Sequence, residues 1–317
     1  MAFLIVSGIC KRINESITVK DISFTQDSLQ NIAIAGETGS GKTTLLKMIG
    51  GFAQPDKGQI VFEEKRVKGP EEKLLPGHPG IAYLSQHFEL RSNYYVHELL
   101  SYANELTAAE AQTLYSVCRI EHLVDRRTDQ LSGGERQRIA LAKLLTTAPK
   151  LLLLDEPFSN LDTIHKNIIR SVLADLRDRL NISCIMVSHD APDVLGWADT
   201  MMIMKDGIII QQGKPEKIYY NPVNEYCAAL LGEYNLIQST TDSNRVEKIF
   251  CRPEEVLINP GEPLWKGKVK DCQFRGSYYA IEVETEKQAI KVFSFDKKLK
   301  PGDLVSLALA ERSYWYL

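Results

Sequence analysis

An apolar run, Asn31-Ile-Ala-Ile-Ala35, leads directly into Gly36-Glu-Thr-Gly-Ser-Gly41-Lys42-Thr43, and a helical pattern begins at Thr43. No other feature narrows the possible folds as far, because this glycine-rich loop works only where a strand ends and a helix starts. Its glycines let backbone N–H groups turn inward around a polyphosphate, and the helix N-terminus adds partial positive charge. Lys42 is suited to reach the β and γ phosphates, and the Thr43 hydroxyl to ligate Mg²⁺. Gly36, Glu37, Thr38, Gly39, Ser40, Gly41, Lys42, Thr43 and Thr44 are therefore the candidate contacts to a nucleotide such as ATP.

The other half of such a site stands at Leu151-Leu-Leu-Leu-Asp155-Glu156, an apolar strand with carboxylates only at its end. Asp155 is suited to hold Mg²⁺, and Glu156 to polarise an attacking water as general base. Alone, two acids there could equally cap the next helix; the phosphate loop upstream favours the catalytic reading.

Around these motifs, residues 1 to about 232 alternate short apolar runs with helical patterns, which predicts a mostly parallel α/β sheet. The run from Met1 to Ile9 reads as a first strand. Thr163 to Leu180 reads as a helix with Ile164, Ile168, Val172, Leu176 and Leu180 on one face, widened by Ile169 and Leu173. Ile182 to Val187 predicts a buried strand, and Met201–Met204 with Ile208–Gln211 a hairpin turning at Asp206-Gly207. The polar stretch 239–245 marks a break, with a linker at 233–250. Beyond it, residues 251–317 switch to period two, as in Tyr279, Ile281 and Val283 or Val305, Leu307 and Leu309, and predict a small all-β, OB-like barrel. A chain of 317 residues exceeds the size at which one core stops growing, which agrees with a large domain plus a small one.

The balance of charges limits the partners. A net charge of -3, with acids and bases interspersed, offers no basic stripe for a nucleic-acid backbone. The 6 cysteines are scattered without a CxxC pair, which fits a reducing cytosol. No stretch approaches the roughly 20 apolar residues of a membrane span, so any pore belongs to other chains.

Leu131-Ser132-Gly133-Gly134-Glu135-Arg136-Gln137-Arg138 opens a further helix with a serine and two glycines, itself an anion-binding end. This octet resembles the signature motif of ATP-binding-cassette (ABC) ATPases, and the rest of that family's motifs follow in order across residues 1–232. Gln86 in Tyr83-Leu-Ser-Gln86 resembles the Q-loop glutamine, which contacts Mg²⁺ and senses the γ phosphate. Ser159-Asn160-Leu161-Asp162 resembles the D-loop. His189 in Val187-Ser188-His189-Asp190 resembles the switch histidine. The chain departs from the family in having Arg12, Ile13, Asn14 and Glu15 where an aromatic usually stacks on adenine, and Glu135 where many members have Gln.

The resemblance implies a P-loop ABC ATPase domain, with a small helical subdomain at about 87–145. It further implies a homodimer in which ATP lies between the phosphate loop of one copy and Ser132, Gly133, Gly134 and Glu135 of the other, with Asp162 at the seam. Glu156, His189 and Gln86 become the catalytic group, and Thr43, Gln86 and Asp155 the Mg²⁺ group. Integral membrane permease subunits and a solute-binding protein are the implied partners, and the inner face of the cell membrane, on the cytoplasmic side, is the implied place. The segment from Phe88 to Leu100, with Tyr94, Tyr95 and Val96, is the candidate docking surface, core packing being the other reading.

Arg252-Pro-Glu-Glu-Val256, Gly267-Lys-Val269, Phe274-Arg-Gly276 and Leu299-Lys-Pro-Gly302-Asp303 resemble the TOBE domain of importer ATPases for polyamines, ferric iron, sulfate, molybdate or sugars. That favours import over export or lipid extraction. Repair-type members would carry a long coiled coil and translation-type members two cassettes, and neither pattern is present. A regulatory module without turnover is disfavoured by Glu156 and His189.

Overall fold

The computed structural model describes residues 2–13, 16–86, 90–159, 161–240, 246–310 and 315–316. Asn14, Glu15, Phe88, Asn160 and residues 241–245, which figure in the motifs and boundaries above, lie outside them. The chain divides into two compact units, Met1–Pro215 and Glu216–Leu317.

The first unit is built on a six-stranded sheet of β3 (Asn31–Ala35), β6 (Ile81–Leu84), β7 (Leu151–Asp155), β8 (Ser183–Ser188), β9 (Thr200–Lys205) and β10 (Ile208–Gly213). Its order is β10-β9-β3-β8-β7-β6, parallel throughout except for the antiparallel pair β9 and β10. β3, β7 and β8 are buried along their whole length, as their unbroken apolar runs require when both faces are covered. The β9–β10 hairpin turns at Asp206 and Gly207, both in the left-handed region. A smaller antiparallel sheet, ordered β2-β1-β4-β5, comprises β1 (Leu4–Ile13), β2 (Ser16–Gln26), β4 (Lys57–Phe62) and β5 (Lys65–Arg66).

Helix α1 (Lys42–Ile49) follows the glycine loop and α5 (Thr163–Leu180) follows β7. Between β6 and β7 lie α2 (Val96–Ser101), α3 (Ala108–Cys118) and α4 (Gly133–Leu145). The buried face of α5 is Ile169, Val172, Leu173 and Leu176, whereas Ile164 is 72% exposed. A four-residue spacing drifts around a helix of 3.6 residues per turn, so the expected stripe leaves the core at its N-terminal end.

The second unit holds α6 (Pro215–Tyr220) from its second residue on, α7 (Glu225–Leu230) and two antiparallel sheets. One is β11 (Asn235–Thr240), β12 (Val246–Cys251) and β18 (Trp315–Tyr316). The other, ordered β13-β17-β14-β15-β16, contains β13 (Val256–Ile258), β14 (Trp265–Phe274), β15 (Tyr279–Thr285), β16 (Ala289–Ser294) and β17 (Leu304–Leu309). Its edges β13 and β16 approach each other, so the sheet curls nearly closed, as an OB-like domain does. Ile281, Val283, Val305 and Leu307 fill its core, in agreement with the period-two reading. Residues 235–240 and 246–250, expected in the linker, instead pair, with Cys251 included, as β11 and β12. Alternate side chains Ile237 and Ile249 reach the core from an otherwise polar stretch.

Candidate active site

The glycine loop leaves the C-terminal end of β3 and closes on α1. Gly41, its last glycine, has φ +99, and a β-carbon there would lie 2.3 Å from the Thr18 carbonyl oxygen, so the backbone path demands glycine. Lys42 is buried, and its Nζ donates to the Gly36 and Glu37 carbonyls at 2.7 and 2.8 Å, folding the loop around the ammonium. Burial lowers the Lys42 pKa, against which Glu156, Asp155 and Glu37 favour the charged form. Ser40 Oγ is buried with no hydrogen-bond partner among the described residues, an orphaned hydroxyl within the cradle.

Asp155 ends β7 with both carboxylate oxygens engaged. Oδ1 accepts from Thr43 Oγ1 at 2.9 Å and Oδ2 from the Tyr83 hydroxyl at 2.7 Å. The sequence reading assigned Tyr83 no role. Strand pairing held the signal: Tyr83 is in register with Leu153 in the parallel pair β6–β7, and Asp155, two residues on, shares the Leu153 face. Burial, then the Asp155 hydrogen bond, push the phenol pKa well up, so Tyr83 stays a donor.

Glu156 adopts φ +52, in the left-handed region, and its amide donates to the Val187 carbonyl at 3.1 Å. For a residue with a β-carbon this conformation costs about 1–2 kcal/mol. The next helix, α5, is capped by Asp162, so neither Asp155 nor Glu156 caps it. The Glu156 carboxylate Oε2 lies 2.7 Å from His189 Nδ1, which donates to it in the tautomer with Nδ1 protonated. Glu156, His189, Gln86, Lys42, Thr43 and Thr44 line one cavity of about 300 Å³, with Thr18, Thr38, Gly39 and Gly41. Thr18, which sequence reasoning missed, comes from β2 of the other sheet.

Thr43, Asp155 and Gln86 offer only oxygen and amide groups, and no cluster of three His, Cys, Asp or Glu side chains occurs among the described residues. Such a donor set fits Mg²⁺, which takes one or two protein oxygens and completes its shell with substrate phosphates and water.

Ser132, Gly133, Gly134, Glu135 and Asp162 do not line this cavity. Ser132 caps α4 in a reciprocal box with Glu135, each backbone N–H donating to the other's side chain at 2.8 and 3.3 Å. Gly134 packs under His165, whose ring would lie 2.1 Å from a β-carbon at that position. Asp162 caps α5, accepting from the His165 amide at 2.9 Å and lying 2.8 Å from its Nδ1. The expected site residues thus form two groups: a cavity at the ends of β3, β7 and β8, and the N-termini of α4 and α5.

Comparison with known proteins agrees with both domains. Residues 19–159 match the family described as ABC transporter, and residues 249–317 match the TOBE domain. The sulfate/thiosulfate import ATP-binding protein CysA of Pseudomonas syringae pv. tomato is 32% identical, covering 89% of this chain and 88% of that protein. The spermidine/putrescine import ATP-binding protein PotA of Acetivibrio thermocellus is 29% identical over 95% of this chain and 92% of its own length. The Fe(3+) ions import ATP-binding protein FbpC of Photobacterium profundum is 28% identical over 91% and 89%. Among solved structures, cbiO1 from Clostridium perfringens, part of the ABC transporter complex cbiONQ, superposes with a TM-score of 0.61 at 27% identity, covering 69% of this chain and 90% of that one. A fold in which the phosphate loop, Asp155 and Glu156 converge, with sequence likeness running nearly end to end, has one consequence: the chain belongs to the ABC transporter family, as an ATPase with a TOBE domain at its C-terminal end.

Proposed function

We propose that two copies of this chain close around two ATP molecules and so drive import of a solute through separate membrane permease subunits, supplied by a solute-binding protein. The observation that carries the reading is the separation of the site into two groups. The cavity holds the ends that would grip and cleave a triphosphate. The Ser132 end of α4, an anion-binding helix N-terminus with exposed Gly133, stands apart from it. A second copy would bring that end to the open side of the cavity, with Asp162 and α5 beside the seam.

In this reading Lys42 gives up the Gly36 and Glu37 carbonyls for the β and γ phosphates. Glu156, oriented by His189 through one oxygen, takes the proton of a water with the other as that water attacks the γ phosphorus and ADP leaves. Thr43, Asp155 and Gln86 would hold Mg²⁺, which when bound neutralises charge on the phosphates. Import is the direction of the named relatives, and the TOBE domain supports it. The relatives differ in cargo, so the solute is not assigned.

Tyr94 and Tyr95, 40% and 42% exposed at the start of α2, form the surface we propose for permease docking, at the inner face of the membrane. Val96, Leu99 and Leu100 from the same segment are buried and belong to the subdomain core. No helix among the described residues is long and apolar enough to cross a membrane.

The test is Glu156→Gln. It is expected to bind ATP and Mg²⁺ and accumulate as a closed dimer in light scattering, with turnover lowered at least about a hundredfold, in the range typical of a lost general base. Turnover at the parental rate would remove Glu156 from the chemistry, and a monomer at saturating ATP would remove the shared seam.

A further inference from the structure

The Ser132 end of α4 carries a contradiction in charge. A helix N-terminus that receives a triphosphate gains from positive potential, yet Glu135 places a carboxylate in its first turn. The capping box does not need that charge, because glutamine makes the same reciprocal hydrogen bonds. The Glu135 carboxyl is held below the usual range first by the Ser132 amide, with Arg126 and Arg138 adding to the effect, so it stays ionised. Uncompensated, it would oppose the approaching phosphates at close range.

The compensation comes from outside the helix. Arg126 Nη1 lies 3.5 Å from Glu135 Oε1, on the oxygen that the Ser132 amide leaves unused. Arg138, the other cation that acts on the Glu135 carboxyl, is buried and donates to the Arg119 carbonyl at 2.6 Å. Arg126 is held in place by its backbone. Its amide donates to the Leu123 carbonyl at 2.9 Å, and its carbonyl accepts from the Val96 amide at 3.0 Å. Tyr95 and Arg127 bridge beside it, and the Thr128 amide donates to the Tyr94 carbonyl at 2.9 Å. The segment carrying the exposed tyrosines is therefore tied to the segment carrying the cation.

We propose that Arg126 is a positioning residue for the ATP of the partner copy: it neutralises Glu135, so that the Ser132 end of α4 presents favourable potential to a triphosphate. This rests on the shared-seam reading above. An ordinary surface ion pair would contribute little to the fold and nothing to nucleotide-driven association, and that difference makes the role measurable.

The experiment titrates ATP into the Glu156→Gln chain and follows dimer formation by light scattering, with thermal melts as a control on folding. Arg126→Gln is expected to raise the ATP concentration for half-association by about three- to tenfold, because the unmasked charge acts at both seams. Arg126→Lys, which keeps the charge, stays within about twofold of the parent. Adding Glu135→Gln to Arg126→Gln restores the parental value within about twofold, because the charge to be masked is gone. If Arg126→Gln associates at the parental ATP concentration, or the double variant stays as weak as the single one, the role of Arg126 is overturned while the seam stands. A Glu156→Gln parent that never associates overturns the seam and the role of Arg126 together.

Discussion

Asp155 shows how much of a candidate site depends on one side chain's neighbours. Its place at the end of an apolar strand was legible from the run of leucines before it, and so was its closeness to Thr43, because the sequence suits both to one Mg²⁺. The Tyr83 hydroxyl on its second oxygen was not legible, since nothing in the sequence states which strand lies beside β7. The left-handed backbone of Glu156 was hidden for a similar reason: the Val187 carbonyl that receives its amide comes from a strand far along the chain. Tyr83→Phe is expected to cost about 1–3 kcal/mol of stability, as for a hydrogen bond to a charged acceptor. Because its folded pKa is raised, the contribution of Tyr83 is complete below the ordinary tyrosine value of about 10 and is lost only as pH rises toward the raised one. Denaturation of the parent and variant should therefore give the same difference at about pH 6 and pH 9. A difference that shrinks over that interval would show that Tyr83 ionises early and does not hold Asp155 as described.

At the scale of elements, periodicity located α5 and the β9–β10 hairpin well, because one buried face imposes a repeat that solvent does not. It misjudged which residues of α5 reach the core. Ile164 has the hydrophobicity of a core residue, but the helix has turned it outward by the time the stripe is established, and only the neighbouring sheet decides where the stripe begins. The second unit was harder to read, because β11 and β12 bury alternate residues within polar sequence and look like a linker until they are paired. Leu173→Ala, in the fully buried part of α5, should destabilise the first unit by about 2–5 kcal/mol. Ile164→Ala should change it by less than about 0.5 kcal/mol. Urea denaturation of the two variants tests the assignment, and equal losses would mean that the helix packs on a different face.

Across the whole chain, Lys42, Gln86, Glu156 and His189 come from distant motifs to one cavity, but composition gave no hint that α6 and α7 cluster with the strands beyond them. The reason is Arg252, which is fully buried in the second unit. Its Nε donates to the Tyr219 carbonyl at 3.0 Å, and its Nη1 to the carbonyls of Ala228, Gly232 and Glu233 at 3.0, 3.2 and 3.0 Å. The rings of Tyr219 and Phe250 lie 4.0 and 5.0 Å from the guanidinium carbon. Backbone carbonyls at Nε and Nη1, with the aromatic faces, thus replace part of the water that this cation has lost, Nη2 having no hydrogen-bond partner among the described residues, and in doing so tie α6 and α7 to β12. Arg252→Met keeps much of the apolar contact but removes this donor from the Tyr219, Gly232 and Glu233 carbonyls, Ala228 keeping the Leu231 amide, so it should destabilise the second unit by about 2–4 kcal/mol. Of the 3 tryptophans, Trp265 and Trp315 lie in that unit and Trp197 in the first, so a Trp197→Phe background reports the second unit alone. In that background the fluorescence transition of Arg252→Met should move to lower urea, while nucleotide binding by the first unit persists. If the transition does not move, the carbonyl cage contributes nothing, and α6 and α7 are held to the second unit by their apolar contacts alone.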